Sequence, residues 1–264
     1  MANGGRLGAR NVPGVDGYSG VWSLREVADA RRKGLWYRYV MEVMADSPIA
    51  YWRLGESSGT TASDAVGTKH GTYTGSVTLG VAGLVLNDPD TAVDFSGGYV
   101  SIPALGSALT SWSIEASSKF DINTGSRTIL SNDSSGWNND VLFGLDPEDS
   151  FTTDSRIALV HQDATNQVRT IVTDTEDAVA GNTYHIIVTS DASSLRLYIN
   201  GGLKATTPKA GAALTFGNNA INIGRNPQNS RFMDGVIDDV AVYGAALSAA
   251  RVEAHYNAWA SGFV

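Results

Sequence analysis

The chain has 264 residues and no cysteine, so it can bury a full core, but neither disulfides nor a cysteine-ligated zinc holds it together. Its formal charge of -8 is uneven: residues 1–45 hold seven Lys or Arg against four Asp or Glu, and the remainder holds 12 against 23. The acidic body argues against a nucleic-acid surface, the basic segment suits an acidic partner, and no apolar run is long enough for a membrane span.

The glycine-rich stretch 1–21 has too little apolar content to fold alone. Gly4, Gly5 and Arg6 stand where a secretory signal carries its apolar run, so export by that route is not expected. Ser23-Leu-Arg-Glu26 fits a capping box, with Trp22 placed to staple onto Val27. A helix of about three turns then reaches Lys33 and stops at Gly34. Trp22, Leu24, Val27, Leu35 and Trp36 give this arm, taken as residues 1–45, more apolar surface than a free arm needs. It either packs back on its own domain or inserts into a larger assembly, and insertion is the expectation.

From residue 46 the pattern is short strands between Gly, Asn, Asp and Ser turns. Ser47–Leu54 reads as the first strand, with Trp52 and Leu54 inward, and Thr72–Leu79 as a weak strand region. Ala92–Phe95 and Tyr99–Ile102 flank a tight turn. Trp112–Phe120 alternates, with Trp112, Ile114, Ala116 and Phe120 on one face and Glu115 and Lys119 on the other, which predicts one wet face. Further strands are predicted at Arg127–Leu130, Val141–Gly144, Ile157–His161, Val168–Val172 and Thr183–Thr189. Leu195–Ile199 and Gly202–Thr206 form a hairpin whose Asn200-Gly201 suits a type I′ turn. After Ala220–Gly224, Val236–Tyr243 is apolar on both faces and should be a central strand. Its Asp238 and Asp239 should point opposite ways, and at least one must be hydrogen-bonded, paired or metal-bound. A last helix opens at Ser248, with Val252, Tyr256 and Trp259 as its apolar stripe. The whole is an all-β, two-sheet antiparallel sandwich with an extended arm and short terminal helices.

Asp46-Ser-Pro-Ile-Ala-Tyr-Trp-Arg-Leu-Gly-Glu56, Thr91-Ala-Val-Asp-Phe-Ser-Gly-Gly-Tyr-Val-Ser-Ile-Pro103, Tyr184-His185, Leu197-Tyr-Ile-Asn-Gly201, Ile223-Gly-Arg225 and Asp234–Tyr243 with Ala246-Leu-Ser248 follow one another in the order of a known family. Together they resemble the laminin G-like, concanavalin A-like jelly-roll domains, which places the domain at 46–264. Where that family commonly has an aromatic after Glu-Ala, this chain has Ser117, which should loosen local packing. The arm motif Ser19–Trp36 resembles an N-terminal motif of structural proteins of tailed bacteriophages. That resemblance implies a virion protein, with Trp22, Leu24, Val27, Leu35 and Trp36 as anchor to other virion proteins and the jelly roll displayed outward. A tail fibre or receptor-facing appendage is the leading form and a capsid decoration protein the second, either as a cyclic homo-oligomer, a trimer included. A stand-alone lectin-like carbohydrate-binding module is the alternative from another class.

The family resemblance also implies one structural Ca2+, held by Glu56 and Asp239 with Asp64 and Asp234 as helpers. The competing reading has Glu56 and Asp239 accept hydrogen bonds from backbone amides where the terminal strands meet. His70, His161, His185 and His255 lack ligand spacing and read as surface or packing residues. A glycosidase needs two carboxyl groups at a defined separation. Glu115 stands alone on its strand and Glu148 lies in a loop, so no enzyme is expected, and a hydrolase ranks last. Trp137, surrounded by polar residues and glycine in Asn132–Asp140, is the leading candidate to stack on a host-surface glycan, with Tyr73 and Phe232 behind it.

Overall fold

Alternating apolar residues and frequent glycine turns leave the chain one economical solution, two sheets stacked face to face. The computed structural model describes residues 7–9, 21–22, 38–106, 108–132, 140–146, 155–163, 165, 169–210, 215–227 and 231–261. The capping-box helix at 23–34, the side chains of Trp22, Leu24, Val27, Leu35 and Trp36, and Trp137 and Glu148 lie outside them.

Two short strands, β1 (Leu7–Ala9) and β2 (Val21–Trp22), pair antiparallel with each other. The following strands are β3 (Ala50–Trp52), β4 (Thr61–Ala62), β5 (Gly71–Thr74), β6 (Val77–Ala82), β7 (Thr91–Ser96), β8 (Tyr99–Ile102), β9 (Trp112–Phe120), β10 (Arg127–Asn132) and β11 (Val141–Leu145). Then come β12 (Arg156–Gln162), β13 (Arg169–Asp177), β14 (Thr183–Ser190), β15 (Ser194–Ile199), β16 (Gly202–Pro208), β17 (Ile221–Ile223), β18 (Arg225–Asn226), β19 (Arg231–Phe232) and β20 (Asp234–Tyr243). One sheet runs β13-β12-β11-β10-β17-β8-β5-β4; the other runs β16-β15-β14-β9-β20-β7-β6, with β3 also paired to β20. All pairings are antiparallel, and β18 with β19 forms a small ribbon where the chain crosses between sheets. The weak region at Thr72–Leu79 resolves into β5 and β6, one strand in each sheet. The Asn200-Gly201 turn has positive φ at both residues, 50° and 76°, as a type I′ turn requires.

The core between the sheets includes Trp52, Leu54, Phe95, Trp112, Ile114, Phe120, Phe143 and Ile237. The outer face of the β9–β14–β20 sheet is not wet. A helix at Arg38–Ala45 and a helix at Ala249–Ser261 cover it, burying Tyr39, Val40, Val43, Tyr51, Ile187, Tyr243, Val252 and Ala258 in a second cluster. Glu115 is therefore 0 % exposed rather than solvated. The first helix belongs to the segment assigned to the arm, so residues 38–45 pack back on the sandwich. The last helix is capped by Ser248, whose Oγ accepts from the Arg251 amide at 3.3 Å. Its buried stripe is Val252, His255 and Ala258, with Tyr256 and Trp259 only half-buried. The stripe is rotated because His255, polar by type, finds charged partners beneath the helix. Ser117, expected to loosen packing, instead accepts from Trp259 Nε1 at 2.8 Å, and this bond ties the end of that helix to the sheet.

Along β20 the inward side changes parity: Ile237, Val240 and Val242 join the core, while Ala241 and Tyr243 face the helices. The cause is a bulge between Asp238 and Ala241, with Asp239 at φ 49°. The two aspartates accordingly belong to one buried charge cluster and not to opposite environments.

Candidate functional site and the buried acidic clusters

The first cluster lies under the helices. Glu115 Oε1 accepts from Tyr39 Oη at 3.1 Å and His185 Nε2 at 2.7 Å, and Oε2 accepts from Tyr243 Oη at 2.5 Å. His255 Nδ1 donates to Glu115 at 2.9 Å, and its Nε2 donates to Asp46 Oδ2 at 2.8 Å. A ring with a carboxylate at each nitrogen must donate from both, so His255 is an imidazolium. Burial alone would lower its pKa, but attraction to Glu115 and hydrogen bonds to Asp46 and Glu115 lift it to about 9. Burial would likewise raise the Glu115 carboxyl; the His255 charge and the bonds from His185 and His255 outweigh it and hold it well below the usual range. Arg251 completes the network on Asp46 at 2.8 Å and Glu42 at 2.7 Å. A carboxylate sealed this way touches no solvent and no substrate. It clamps both helices to the sheet.

The second cluster surrounds the bulge. Asp239 Oδ1 accepts from Tyr51 Oη and lies 3.5 Å from Arg53 Nε. Arg53 Nη2 also pairs with Asp88 at 3.0 Å and Asp90 at 2.8 Å. Burial raises the Asp239 carboxyl to about 7, against the lowering pull of Arg53 and the Tyr51 bond. Asp238 is raised well above its ordinary value, first by burial and then by the Asp239 charge. Its Oδ2 accepts from the Leu84 amide at 2.8 Å, while Oδ1 has no hydrogen-bond partner among the described residues.

The residues assigned to calcium do not converge. Glu56 accepts from the Ser63 amide at 2.8 Å and Tyr73 Oη at 2.7 Å. Asp64 accepts from the amides of Tyr51, Val66 and Lys69 at 3.0–3.1 Å. Asp239 is held by Tyr51 and Arg53, and Asp234 opens β20 opposite Ser96. Among the described residues no group of three or more His, Asp or Glu side chains is placed to hold a metal ion. Tyr73 is 7 % exposed and bonded to Glu56, so it offers no stacking face.

Phe232, in contrast, lies at a cleft. Ser96, Gly97, Ser126, Arg127, Arg231, Phe232, Met233 and Asp234 line a space of ≈ 480 Å³. Alternation on the crossover buries Met233 in the core at 1 % exposure and leaves Phe232 half-buried beside the opening. The ribbon is held in place by the Met233 amide, which donates to the Gly224 carbonyl at 2.8 Å, and by Ser131 Oγ, which donates to the Arg225 carbonyl at 2.8 Å. Gly224 is required there: it sits at φ +86°, and a Cβ would lie 2.7 Å from the Phe95 ring. One wall comes from the ends of β7 and β20, another from the start of β10 in the facing sheet, so the cleft opens between the sheets at one end of the sandwich. The cleft combines an aromatic face, guanidinium groups, a carboxylate and hydroxyls. Sequence reasoning ranked Phe232 low and passed over Arg127 and Arg231, because nothing along the chain joins positions 127 and 231.

A family model described as the concanavalin A-like lectin/glucanases superfamily, of laminin G type, matches residues 94–253, more than half of the chain. No curated protein sequence matches significantly. Among solved structures, domain 4 of an extracellular arabinanase from Geobacillus stearothermophilus, in complex with arabinotriose, superposes with TM-score 0.61 at 17% identity, over 79% of this chain and 98% of that one. The receptor binding domain of botulinum neurotoxin mosaic serotype C/D gives 0.60 at 16% identity, over 80% of this chain and 51% of that one. The Trypanosoma rangeli sialidase gives 0.50 at 13% identity, over 78% and 32%. The chain thus spans nearly all of the arabinanase domain, half of the neurotoxin domain and a third of the sialidase, and at these identities the likeness is one of fold. With its family model, strand order and two-sheet core in agreement, the chain belongs to the concanavalin A-like lectin/glucanases superfamily.

Proposed function

We propose that this domain is a non-catalytic, lectin-like module that binds a saccharide in the cleft beside Phe232. The observation that carries the reading is the composition of that cleft. A half-buried aromatic offers a face for the C–H bonds of a sugar ring, and Arg127, Arg231, Asp234 and Ser96 supply donors and acceptors around it. Asp234 is the only carboxylate among the residues lining it, and Glu115 is sealed under the helices, so the described residues offer no acid–base pair there. An arabinanase domain with arabinotriose and a neurotoxin receptor binding domain share the fold, which supports a recognition role. The test is a glycan array with wild type and Phe232→Ala. Binding that Phe232→Ala abolishes while its melting temperature stays near wild type is the expected result. Binding unaffected by the substitution places the site elsewhere.

A second reading concerns what carries the module. The N-terminal motif Ser19–Trp36, its likeness to structural proteins of tailed bacteriophages and the surplus of basic residues in 1–45 favour attachment to a larger assembly, with a virion as the proposed setting. Removing residues 1–37 tests it. That truncation retains Arg38–Ala45, the helix that covers the sheet. Loss of incorporation into particles with unchanged glycan binding is expected; unchanged incorporation contradicts the anchor.

A further inference from the structure

We infer that the saccharide taken by this cleft is acidic, carrying a carboxylate that Arg127 receives. The inference rests on the glycan-binding reading and specifies its ligand. Arg127 is half-buried at the cleft, yet its guanidinium makes no ion pair among the described residues. One Nη donates to the Ser126 carbonyl at 2.8 Å, and Nε has no partner. A partly desolvated cation without a counter-charge is costly unless something neutralises it. Two other partly buried arginines are paired with carboxylates, Arg53 with Asp88, Asp90 and Asp239, and Arg251 with Glu42 and Asp46. Arg127 lacks such a pair among the described residues, and it lies on a cavity wall.

Further guanidinium groups lie close to Arg127. Arg231 lines the same cleft, and Arg225, opposite Phe232 in the ribbon, stacks 3.5 Å over the Tyr99 ring. Three guanidinium groups gather at one end of a chain whose formal charge is -8. Asp94 and Asp121 lie beside Asp234 at this end, so the attraction for an anion is local to the guanidinium groups on the cleft wall. Asp234 is the negative group in the lining; it would repel a second anionic group and accept from ring hydroxyls, which favours one charge per sugar over a densely charged polymer. The planar fork of a guanidinium matches a carboxylate two-to-two, so a uronic or other sugar acid is the class that fits.

Calorimetric titration of the full chain with three sets of oligosaccharides of equal length tests this: oligogalacturonides, their carboxyl-reduced neutral counterparts, and sulfated neutral chains. The carboxylated set is expected to bind at least tenfold tighter than the neutral set. Arg127→Gln should collapse that ratio, and Arg127→Lys, which keeps the charge but not the fork, should restore little of it. Equal affinity for carboxylated and neutral sets overturns the inference and leaves the glycan-binding reading standing. Binding of the sulfated set as tight as the carboxylated one, or full rescue by Arg127→Lys, reduces the effect to a point charge and also overturns it. No binding by any set, with array binding to other glycans at the Phe232 cleft, overturns the acidic class alone; no binding to any glycan removes both.

Discussion

Replacing Glu115 by Gln tests whether the buried network clamps the helices. The change keeps the side chain's shape but leaves His255, whose ring faces Glu115 and Asp46, with only one of its two counter-charges, and removes the one that is fully buried. Breaking one partner of a buried ion pair costs about 3–5 kcal/mol, and a domain of this size loses about 2–4 °C per kcal/mol, so the melting temperature should fall by roughly 6–20 °C. The pH dependence gives a second signature. His255 rises from 6.5 in the unfolded chain to about 9 in the fold, so the folded state holds its proton where the unfolded state has lost it. That stabilisation is complete below pH 6.5 and is lost as pH climbs through 9, an upper limit of about 3 kcal/mol. The groups around the ring are Glu115 and Tyr243 from the sheet, Asp46 from the turn after the Arg38–Ala45 helix, and Arg251, which pairs with Asp46. Thermal melts of wild type and Glu115→Gln between pH 6 and 9.5 are the assay. Wild type should lose stability across that window, and the variant should lose much less of it. A variant that melts within about 2 °C of wild type at pH 7, with the same pH slope, would refute the clamp.

Other expected outcomes concern the second cluster, the backbone and metal. Asp238→Asn retains an acceptor for the Leu84 amide and removes a carboxyl whose ionised form burial and the Asp239 charge disfavour; it should raise the melting temperature, increasingly so as pH rises, and a lower value contradicts the assignment. Gly235→Ala should prevent soluble folding or cost at least ~2 kcal/mol in a denaturant titration, because the site has φ +133° and a Cβ would lie 2.1 Å from the Lys119 carbonyl. With Glu56, Asp64 and Asp239 committed to amides, tyrosine hydroxyls and Arg53, millimolar calcium or EDTA should leave the melting temperature unchanged. A calcium-dependent rise lost in Glu56→Gln would return that residue to a metal site.

The sandwich was legible because its information is local. Alternation placed Trp52, Leu54 and Ile114 inward, the Asn200-Gly201 turn fixed a hairpin, and the apolar run at Val236–Tyr243 marked a central strand. What stayed hidden depended on contacts distant in sequence. Glu115 looked solvated because the helices that cover it lie 70 or more positions away, and His255 read only as a surface or packing residue because its carboxylate partners are as distant in sequence. The aspartates of β20 were assigned by strict alternation, which a bulge at a positive φ overrides. The Arg38–Ala45 helix has no capping signal and sits in an aromatic run, so only its burial against the sheet defines it. The cleft joins Arg127 to Arg231 and Phe232 through a crossover between sheets, which no spacing rule encodes.

The central claim, a saccharide site at the end of the sandwich, is tested most directly by amide chemical-shift mapping with an oligosaccharide bound by the array. Perturbations should concentrate at Ser96, Gly97, Arg127, Arg231, Phe232 and Asp234 and vanish in Phe232→Ala. Perturbations confined to another surface, with these amides unmoved at saturation, would contradict it.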